Sequence, residues 1–277
     1  MTENEIKRLA AFTSELAQKG GECAAQWFRQ QYTVSIKEDK SPVTAADQSA
    51  ESLLRERIAD RFPDHGVLGE EFGPLRTDQE YVWSIDPVDG TRSFITGSPL
   101  WGTLVALLHH GAPVTGAVCL PALKECWEAC NDGGCWFIDT KKKVQCRTSG
   151  CTSLSAAIFS TTSPLYFAPE EKPVLEALYA AVRDTRFGGD CFIYCQLACG
   201  YVDLVVESLL KPFDFLPLIP IIQEAGGVVT DWRGNSLTLQ SSGRLVAAAT
   251  QELHDQALVF LQQQMNPGTH KNSRLVT

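Results

Sequence analysis

An apolar strand that ends abruptly in two carboxylates constrains this chain more than any other feature. Residues Tyr81–Asp86 have the composition of a buried strand, and the chain then turns through Asp86-Pro87-Val88-Asp89-Gly90-Thr91. Because proline fixes φ and glycine permits tight backbone geometry, this turn can direct both carboxylates and a main-chain carbonyl toward one point. Mg²⁺ prefers such oxygen ligands. The alternative for the turn alone is an ordinary type I turn with two solvated aspartates.

Further carboxylates stand at the ends of other predicted elements. Glu70 and Glu71 follow a short predicted strand that begins at Gly66, and Asp47 lies in the first turn of a helix predicted for residues 45–61. Asp214 opens another predicted helix. Each acid alone fits a helix N-terminus or a solvated pair, but converging carboxylates repel one another unless cations lie between them. Since the five histidines are scattered, the pattern favours magnesium over zinc.

The periodicity of the remaining chain predicts an α/β fold in two halves. A helix over residues 5–19 is expected to stop at Gly20-Gly21. The N-terminal half, residues 1–145, then contains an antiparallel meander, with strands predicted at 102–108, 114–120 and 125–129. The C-terminal half, residues 146–277, has a β/α rhythm. Its predicted strands are 156–160, 202–207 and 227–232, and its predicted helices are 169–182, 191–199 and 214–225.

Charge and composition exclude several classes of partner. The formal net charge of the 277 residues is -9, which gives no basic field for nucleic acid or anionic lipid. The N-terminal residues show no signal-peptide pattern and no run of about 18 apolar residues occurs, so we expect a cytoplasmic protein. A phosphate ester bound to so acidic a chain would require metal ions.

The ten cysteines point to packed thiols rather than to disulfides or zinc. Nothing in the sequence indicates an oxidising compartment. Cys126, Cys130 and Cys135 contain no Cys-x-x-Cys pair and have no nearby histidine, which disfavours zinc. The three cysteines spaced by four from Cys191 to Cys199 are expected on one buried helix face.

Four segments together resemble the inositol-monophosphatase superfamily, over nearly the whole chain. They are Ser41-Pro-Val-Thr-Ala-Ala-Asp47, Gly69-Glu70-Glu71, Trp83-Ser-Ile-Asp86-Pro-Val-Asp89-Gly-Thr91, and Phe213-Asp214 followed by Glu224-Ala-Gly-Gly227. The resemblance implies a layered α-β-α-β-α sandwich, a homodimer, and a phosphatase that uses two to three Mg²⁺ ions.

The resemblance also implies a role for each matched residue. The implied metal ligands are Glu70, Asp86, Asp89, Asp214, the carbonyl of Val88 and, for a more loosely held ion, Asp47. Asp47, Thr91 and Glu70 would be catalytic, with Asp47 and Thr91 orienting the attacking water. Asp89, Gly90, Thr91 and Asp214 would also contact the substrate, with the backbone amides of Gly90 and Thr91 binding its phosphate.

Within the superfamily, two sequence segments are most similar to the histidinol-phosphatase branch. They are the segment from Gly90 to Thr103 and Arg186-Phe-Gly-Gly-Asp190-Cys. Histidinol phosphate carries an ammonium and an imidazole, so a selective pocket needs a carboxylate beyond the metal ligands. Asp190 is the candidate and Glu207 a weaker one, while a helix cap is the alternative for Asp190. Arg186 is predicted to bind substrate, with a surface ion pair as its alternative.

Three hypotheses follow from these residues. The first is a magnesium-dependent phosphatase that converts L-histidinol phosphate to L-histidinol in histidine biosynthesis. The second is an inositol-1-monophosphatase or broad sugar-phosphate phosphatase with the same machinery. The third is a phosphate- and metal-binding regulatory protein without turnover, against which Asp47, Glu70 and Thr91 argue because all three catalytic positions are occupied.

Overall fold

A computed structural model describes residues 1–31, 35–36 and 42–265 of the chain. The described α-helices are α1 (Glu3–Ala25), α2 (Ala45–Arg61), α3 (Thr91–Ile95), α4 (Lys172–Ala181), α5 (Cys191–Ala198), α6 (Pro212–Phe215), α7 (Leu218–Glu224) and α8 (Gln251–Met265). The first ten strands are β1 (Ser35–Ile36), β2 (Pro42–Val43), β3 (Gly66–Gly69), β4 (Gly73–Leu75), β5 (Tyr81–Asp89), β6 (Gly102–His109), β7 (Ala112–Leu120), β8 (Glu125–Cys130), β9 (Gly134–Ile138) and β10 (Lys143–Gln145). The last five are β11 (Ile158–Thr161), β12 (Asp184–Phe187), β13 (Leu204–Glu207), β14 (Val228–Thr230) and β15 (Leu245–Ala248).

The first large sheet has eight strands in the order β10-β9-β8-β7-β6-β5-β3-β4. The predicted meander is confirmed, since β6, β7 and β8 pair antiparallel in sequence order. Successive side chains of β6 pack alternately on two faces: Leu104 belongs to the core beside α5 and α7, and Val105 to the core beneath α1 and α2. Both faces of the sheet are therefore buried here, which explains why β6 is apolar without alternation from Leu104 to Leu108.

The second sheet has five strands in the order β12-β11-β13-β15-β14. Helices α5 and α7 lie between the two sheets, where Ile193 and Ile221 share a core with Val118 of β7. Helices α4 and α8 cover the outer face through a third core that includes Leu178 and Leu253. The layers are therefore α-β-α-β-α, as predicted.

Helix α1 does not stop at Gly20-Gly21, so that predicted boundary is wrong. The helix continues to Ala25 because the two glycines lie against the first sheet. A Cβ atom on Gly20 would lie 2.8 Å from Cγ2 of Thr103, and one on Gly21 would lie 2.6 Å from Cγ of Pro121. Close packing of a helix on a sheet, rather than helix termination, selects glycine here.

The interpretation of Cys126 as a packed thiol is also wrong. Cys119 and Cys126 form a disulfide between β7 and β8. They are register partners in this antiparallel pair, with Cα atoms 4.1 Å apart. Cys191 and Cys195 are buried thiols in α5, as predicted.

Other boundaries differ from the sequence prediction in local ways. The helix predicted for 214–225 is two short helices, α6 and α7, with Pro217 between them. The edge strand β12, strand β15 and helix α8 were not predicted. Ser41, in the first segment of the family resemblance, lies outside the described residues. Among the helices that the structure describes, none has the length and apolar composition needed to cross a bilayer.

Candidate active site

Two parallel strands bring acids to the same edge of the first sheet. Strand β3 pairs parallel with β5, and Gly69 is the register partner of Ile85. Glu70 and Asp86 directly follow these partners in the chain. Asp86 is only 1% exposed, so its carboxylate is held inside the protein rather than in water.

The carboxylate turn from Asp86 to Thr91 begins inside β5, which continues to Asp89, so the predicted strand end at Asp86 is wrong. The register between β5 and β6 shifts between Asp86 and Asp89, and the main-chain N–H of Val88 donates to Oδ1 of Asp86 at 3.0 Å. The hydroxyl of Thr103 holds the turn from the neighbouring strand by donating to the carbonyl of Pro87 at 2.7 Å. Gly90 has φ +81°, a conformation that favours glycine, and the next residue begins α3.

Asp86, Asp89 and Asp214 form a three-carboxylate group. One carboxylate oxygen from each lies within 4.8 Å of the others. Asp214 reaches this group from α6, where its Oδ2 also accepts the main-chain N–H of Lys211 at 2.7 Å. An all-oxygen donor set, supplied by the turn after β5 and by α6, fits a hard divalent cation such as Mg²⁺ better than a softer metal.

The electrostatics of the group show why a cation suits it. Burial, followed by the charges of Glu70, Asp89 and Asp214, raises the pKa of Asp86 well above its ordinary value. Burial and the neighbouring Asp190 and Asp214 do the same to the pKa of Asp89. Burial is likewise the largest cause that raises the pKa of Asp214, to about 7. A divalent cation among these oxygens would offset both the burial and the mutual repulsion that raise these pKa values.

Asp47 and Thr91 meet beside this group. Asp47 lies in the first turn of α2, where its Oδ2 accepts the main-chain N–H of Thr44 at 2.8 Å, so it does serve the helix N-terminus. Its other oxygen, Oδ1, lies 3.5 Å from the hydroxyl of Thr91, which is also 3.2 Å from the carbonyl of Val88. The arrangement places an acceptor carboxylate and a hydroxyl side by side at the start of α3.

Asp190 faces the carboxylate turn instead of capping α5. Its backbone has φ +47°, and its side chain makes no capping hydrogen bond to α5. Oδ2 of Asp190 accepts the hydroxyl of Ser93 in α3 at 2.9 Å. The N-terminal turn of α5 is served by Asp89, whose Oδ2 accepts the main-chain N–H of Cys191 at 2.6 Å. Burial raises the pKa of Asp190.

These groups surround a cavity of about 400 Å³. Of the ten residues predicted for the site, all but Asp47 and Arg186 line the cavity: Glu70, Asp86, Val88, Asp89, Gly90, Thr91, Asp190 and Asp214. Glu207, the weaker candidate for a substrate carboxylate, lines it as well. Glu207 is 2% exposed, accepts the hydroxyl of Thr161 at 3.0 Å, and has its pKa raised to about 7 by burial. Six carboxylates therefore face one cavity.

Arg186 lies apart from this cavity. It is on the edge strand β12, its side chain is 72% exposed, and its guanidinium lies 3.3 Å from a carboxylate oxygen of Asp184. The cationic residues on the cavity wall are instead Arg92 and Lys211. The surface ion pair considered from the sequence is present, and the role of Arg186 in substrate binding stays a prediction.

Glu51 supports the site and was not singled out in the sequence. It is fully buried in α2, where it pairs with Arg55 at 2.8 Å. Its carboxylate accepts the main-chain N–H of Glu71 at 2.7 Å and of Phe72 at 3.1 Å. A Cβ on Gly69 would lie 2.1 Å from Oε1 of Glu51, so glycine is needed there. Its position one turn after Asp47 on the same helix was the available signal.

Comparisons with known proteins agree with this fold and identify its family. The model of the inositol monophosphatase family matches residues 5–266. The bifunctional phosphatase IMPL2, chloroplastic, of Arabidopsis thaliana is 40% identical over 272 residues, covering 95% of this chain and 77% of that protein. A histidinol-phosphatase of Chlorobaculum parvum is 37% identical over 235 residues, covering 84% of this chain and 89% of that protein.

A solved structure gives the same result in three dimensions. An inositol monophosphatase from Zymomonas mobilis superposes with a TM-score of 0.84 at 35% identity, covering 95% of this chain and all of the other. Fold and site define a metal-dependent phosphatase, a phosphoric monoester hydrolase. The chain belongs to the inositol monophosphatase family.

Proposed function

We propose that this enzyme hydrolyses L-histidinol phosphate to L-histidinol, with Mg²⁺ as its metal, in the synthesis of histidine. The observation that carries the proposal is a surplus of negative charge in the cavity. Asp190 and Glu207 line its wall in addition to the three-carboxylate group. Histidinol offers an ammonium and an imidazole to such carboxylates, whereas a neutral polyol offers only hydroxyls.

In this proposal, Glu70, Asp86, Asp89, Asp214 and the carbonyl of Val88 hold two Mg²⁺ ions. Asp47 belongs to a third, more loosely held ion. When bound, these cations neutralise charge on the phosphoryl group and make a coordinated water more acidic. Because phosphoryl transfer passes through a loose transition state, the protein contributes mainly by positioning the reacting groups.

The chain's own groups supply that positioning. The main-chain amides of Gly90 and Thr91, at the start of α3, bind the phosphate. The hydroxyl of Thr91 orients the attacking water, and Oδ1 of Asp47, 3.5 Å from that hydroxyl, accepts its hydrogen bond. Asp190, fixed by Ser93, binds the cationic end of the alcohol.

A second substrate class has its own support. The 35% identity to an inositol monophosphatase favours hydrolysis of inositol or sugar monophosphates by the same carboxylates. Glu207 would then accept a substrate hydroxyl. A homodimer stays a prediction from the family resemblance.

The deciding experiment compares kcat/KM for histidinol phosphate and inositol 1-phosphate under saturating Mg²⁺. We expect histidinol phosphate to be preferred by at least about tenfold, equivalent to about 1.4 kcal/mol for one selective ion pair or hydrogen bond. A higher kcat/KM with inositol 1-phosphate would overturn the substrate assignment, and no phosphate release from either ester would overturn the enzymatic proposal.

A further inference from the structure

A second group of potential metal ligands lies at the opposite end of β5 from Asp86. Glu80 immediately precedes β5, and His109 and His110 lie at the turn that joins β6 to β7. One donor atom from each of the three side chains lies within 4.8 Å of the others. Asp86 lies five residue steps along the strand from Tyr81, a span of about 17 Å, so this group is distinct from the catalytic carboxylates.

The distances within the group suit a small tetrahedral ion. Nε2 of His109 lies 3.0 Å from Oε1 of Glu80, and Nε2 of His110 lies 3.8 Å from the same oxygen. Zinc binds imidazole nitrogen and carboxylate oxygen at about 2.0–2.2 Å, which places ligand atoms of a tetrahedral site roughly 3.4 Å apart. The two separations bracket that value, so modest side-chain adjustment would complete the site.

The backbone explains how two consecutive histidines point to the same carboxylate. Neighbouring side chains in a strand lie on opposite faces, which would separate His109 from His110. His110, however, has φ +50° and Gly111 has φ +80°, so the chain turns at His110 and brings its ring to within 4.3 Å of the ring of His109. The main-chain N–H of His110 donates to the carbonyl of Glu80 at 2.8 Å, which ties the turn to the third ligand.

Aromatic stacking restricts the orientation of the His109 imidazole, which lies nearer to Glu80 than the imidazole of His110 does. The ring of His109 stacks on Tyr81 at 4.8 Å, and Tyr81 stacks on His65 at 4.8 Å. His65 is in turn held by Trp83, whose indole N–H donates to its Nδ1 at 3.1 Å. The ring plane of His109 is therefore set by a column of rings, which reduces the entropy that a ligand would otherwise lose on binding a metal.

We propose that Glu80, His109 and His110 form a binding site for a divalent transition-metal ion of the zinc class. Two imidazoles favour Zn²⁺, Co²⁺ or Ni²⁺ over Mg²⁺, which prefers oxygen ligands. Glu80 and His110 are exposed, so water completes the coordination and an ion can enter from solvent. A bound ion would link the segment before β5 to the β6–β7 turn and would stabilise this end of the sheet.

Calorimetric titration of tag-free protein with Zn²⁺, in the presence of saturating Mg²⁺, tests the site. We expect one Zn²⁺ ion per chain at this site, with an affinity that His109→Ala and His110→Ala each lower at least about tenfold, because loss of even an outer-shell partner typically costs about 10–100-fold. Glu80→Gln should also weaken binding. Glu128→Gln is the matched control, because Glu128 is a strand carboxylate paired with Lys143 elsewhere on the first sheet.

Each outcome decides the proposal. Zn²⁺ could also bind at the three-carboxylate group. Such binding would be lost in Asp89→Asn and kept in His110→Ala, which distinguishes it from binding at the proposed site. If His110→Ala keeps the full stoichiometry and affinity of the wild type, or if the wild type binds no Zn²⁺ under these conditions, the site does not exist. Mg²⁺-dependent phosphatase activity and the melting temperature without Zn²⁺ should be unchanged in His110→Ala, which shows that a loss of binding is not a loss of fold.

Discussion

The carboxylate of Asp89 accepts the main-chain N–H of Cys191 at 2.6 Å, and this hydrogen bond joins the two sequence halves at the cavity. Asp89 ends β5 and Cys191 begins α5, 102 residues later. The side chain of Asp89 thus holds α5 in place, and the same side chain supplies an oxygen to the three-carboxylate group. The position of the helix and the charge of the site depend on one side chain.

Asp89→Asn separates these two roles. The amide oxygen of Asn can still accept the N–H of Cys191, so we expect the melting temperature to change little. The lost charge should lower kcat by more than about 100-fold, beyond the roughly 10–100-fold that an outer-shell partner of a metal usually contributes. Phosphate release and thermal unfolding measure the two effects. Asp60→Asn, at an exposed carboxylate of α2, is the control, and an Asp89→Asn enzyme with wild-type turnover would refute the assigned role.

Glu51→Gln tests support for the segment that carries Glu70. A glutamine has one acceptor oxygen, whereas Glu51 accepts two main-chain N–H groups and pairs with Arg55. Leaving one buried donor unpaired should cost about 1–3 kcal/mol of unfolding free energy and raise the Mg²⁺ concentration needed for half-maximal activity. Denaturant unfolding and Mg²⁺ titration are the measurements. Glu56→Gln, exposed on the same helix, should change neither, and an equal effect of both variants would contradict the role of Glu51.

Features of the site that depend on residues close together in the sequence could be predicted, and features that depend on contacts between distant segments could not. The turn from Asp86 to Thr91 and the first-turn position of Asp47 depend on neighbouring residues, so the sequence predicted their geometry. The partnership of Asp190 with Ser93 depends on where α5 meets α3, across 97 residues, so the sequence could name Asp190 as a substrate carboxylate but left a helix cap as its alternative. Glu51 was missed for the same reason, because the main-chain groups that it binds, of Glu71 and Phe72, lie outside its helix.

The disulfide and the glycine pair were mispredicted because both depend on which elements pack together. The spacing of Cys119 and Cys126 contains no pairing signal until β7 and β8 are placed in register. Gly20 and Gly21 have the composition of a helix stop, and only the approach of Thr103 and Pro121 reveals that packing selects them.

Gly21→Ala tests that packing explanation. Alanine is favoured over glycine in a helix by about 1 kcal/mol, so propensity alone predicts a more stable protein. The new Cβ would lie 2.6 Å from the ring of Pro121, and such overpacking typically costs about 1–3 kcal/mol. We therefore expect a lower melting temperature. Ala11→Gly, exposed in the same helix, measures the propensity effect alone, and stabilisation by Gly21→Ala would show that packing is not limiting.

The raised carboxylate pKa values predict how Mg²⁺ dependence varies with pH. Burial raises the pKa of Asp214 and of Glu207 to about 7, so the metal-free folded protein holds more protons than the unfolded chain. The stability associated with these protons is complete below about pH 4 and is lost as the pH rises toward 7. Because Mg²⁺ replaces protons at the three-carboxylate group, the increase in melting temperature on adding Mg²⁺ should grow across this interval.

Thermal unfolding with EDTA or with Mg²⁺, from pH 5 to pH 8, measures this trend. Asp214→Asn should reduce the pH dependence of the Mg²⁺ effect, since one titrating ligand is removed. A Mg²⁺ effect of constant size over the whole range would mean that the carboxylates are already ionised in the metal-free protein.

Asp190→Asn separates substrate selection from catalysis. The asparagine can still accept the hydroxyl of Ser93 through its amide oxygen, so the local structure should be kept. What disappears is a charge in a buried position, where an ion pair or charged hydrogen bond contributes about 1.5–3 kcal/mol. The kcat/KM for histidinol phosphate should therefore fall by roughly 10–100-fold, while kcat/KM for inositol 1-phosphate, whose alcohol is neutral, should change less than about threefold. Equal losses on both esters would mean that Asp190 acts by positioning Gly90 and α3, because its Oδ2 lies within 2.9 Å of where a Cβ of Gly90 would be.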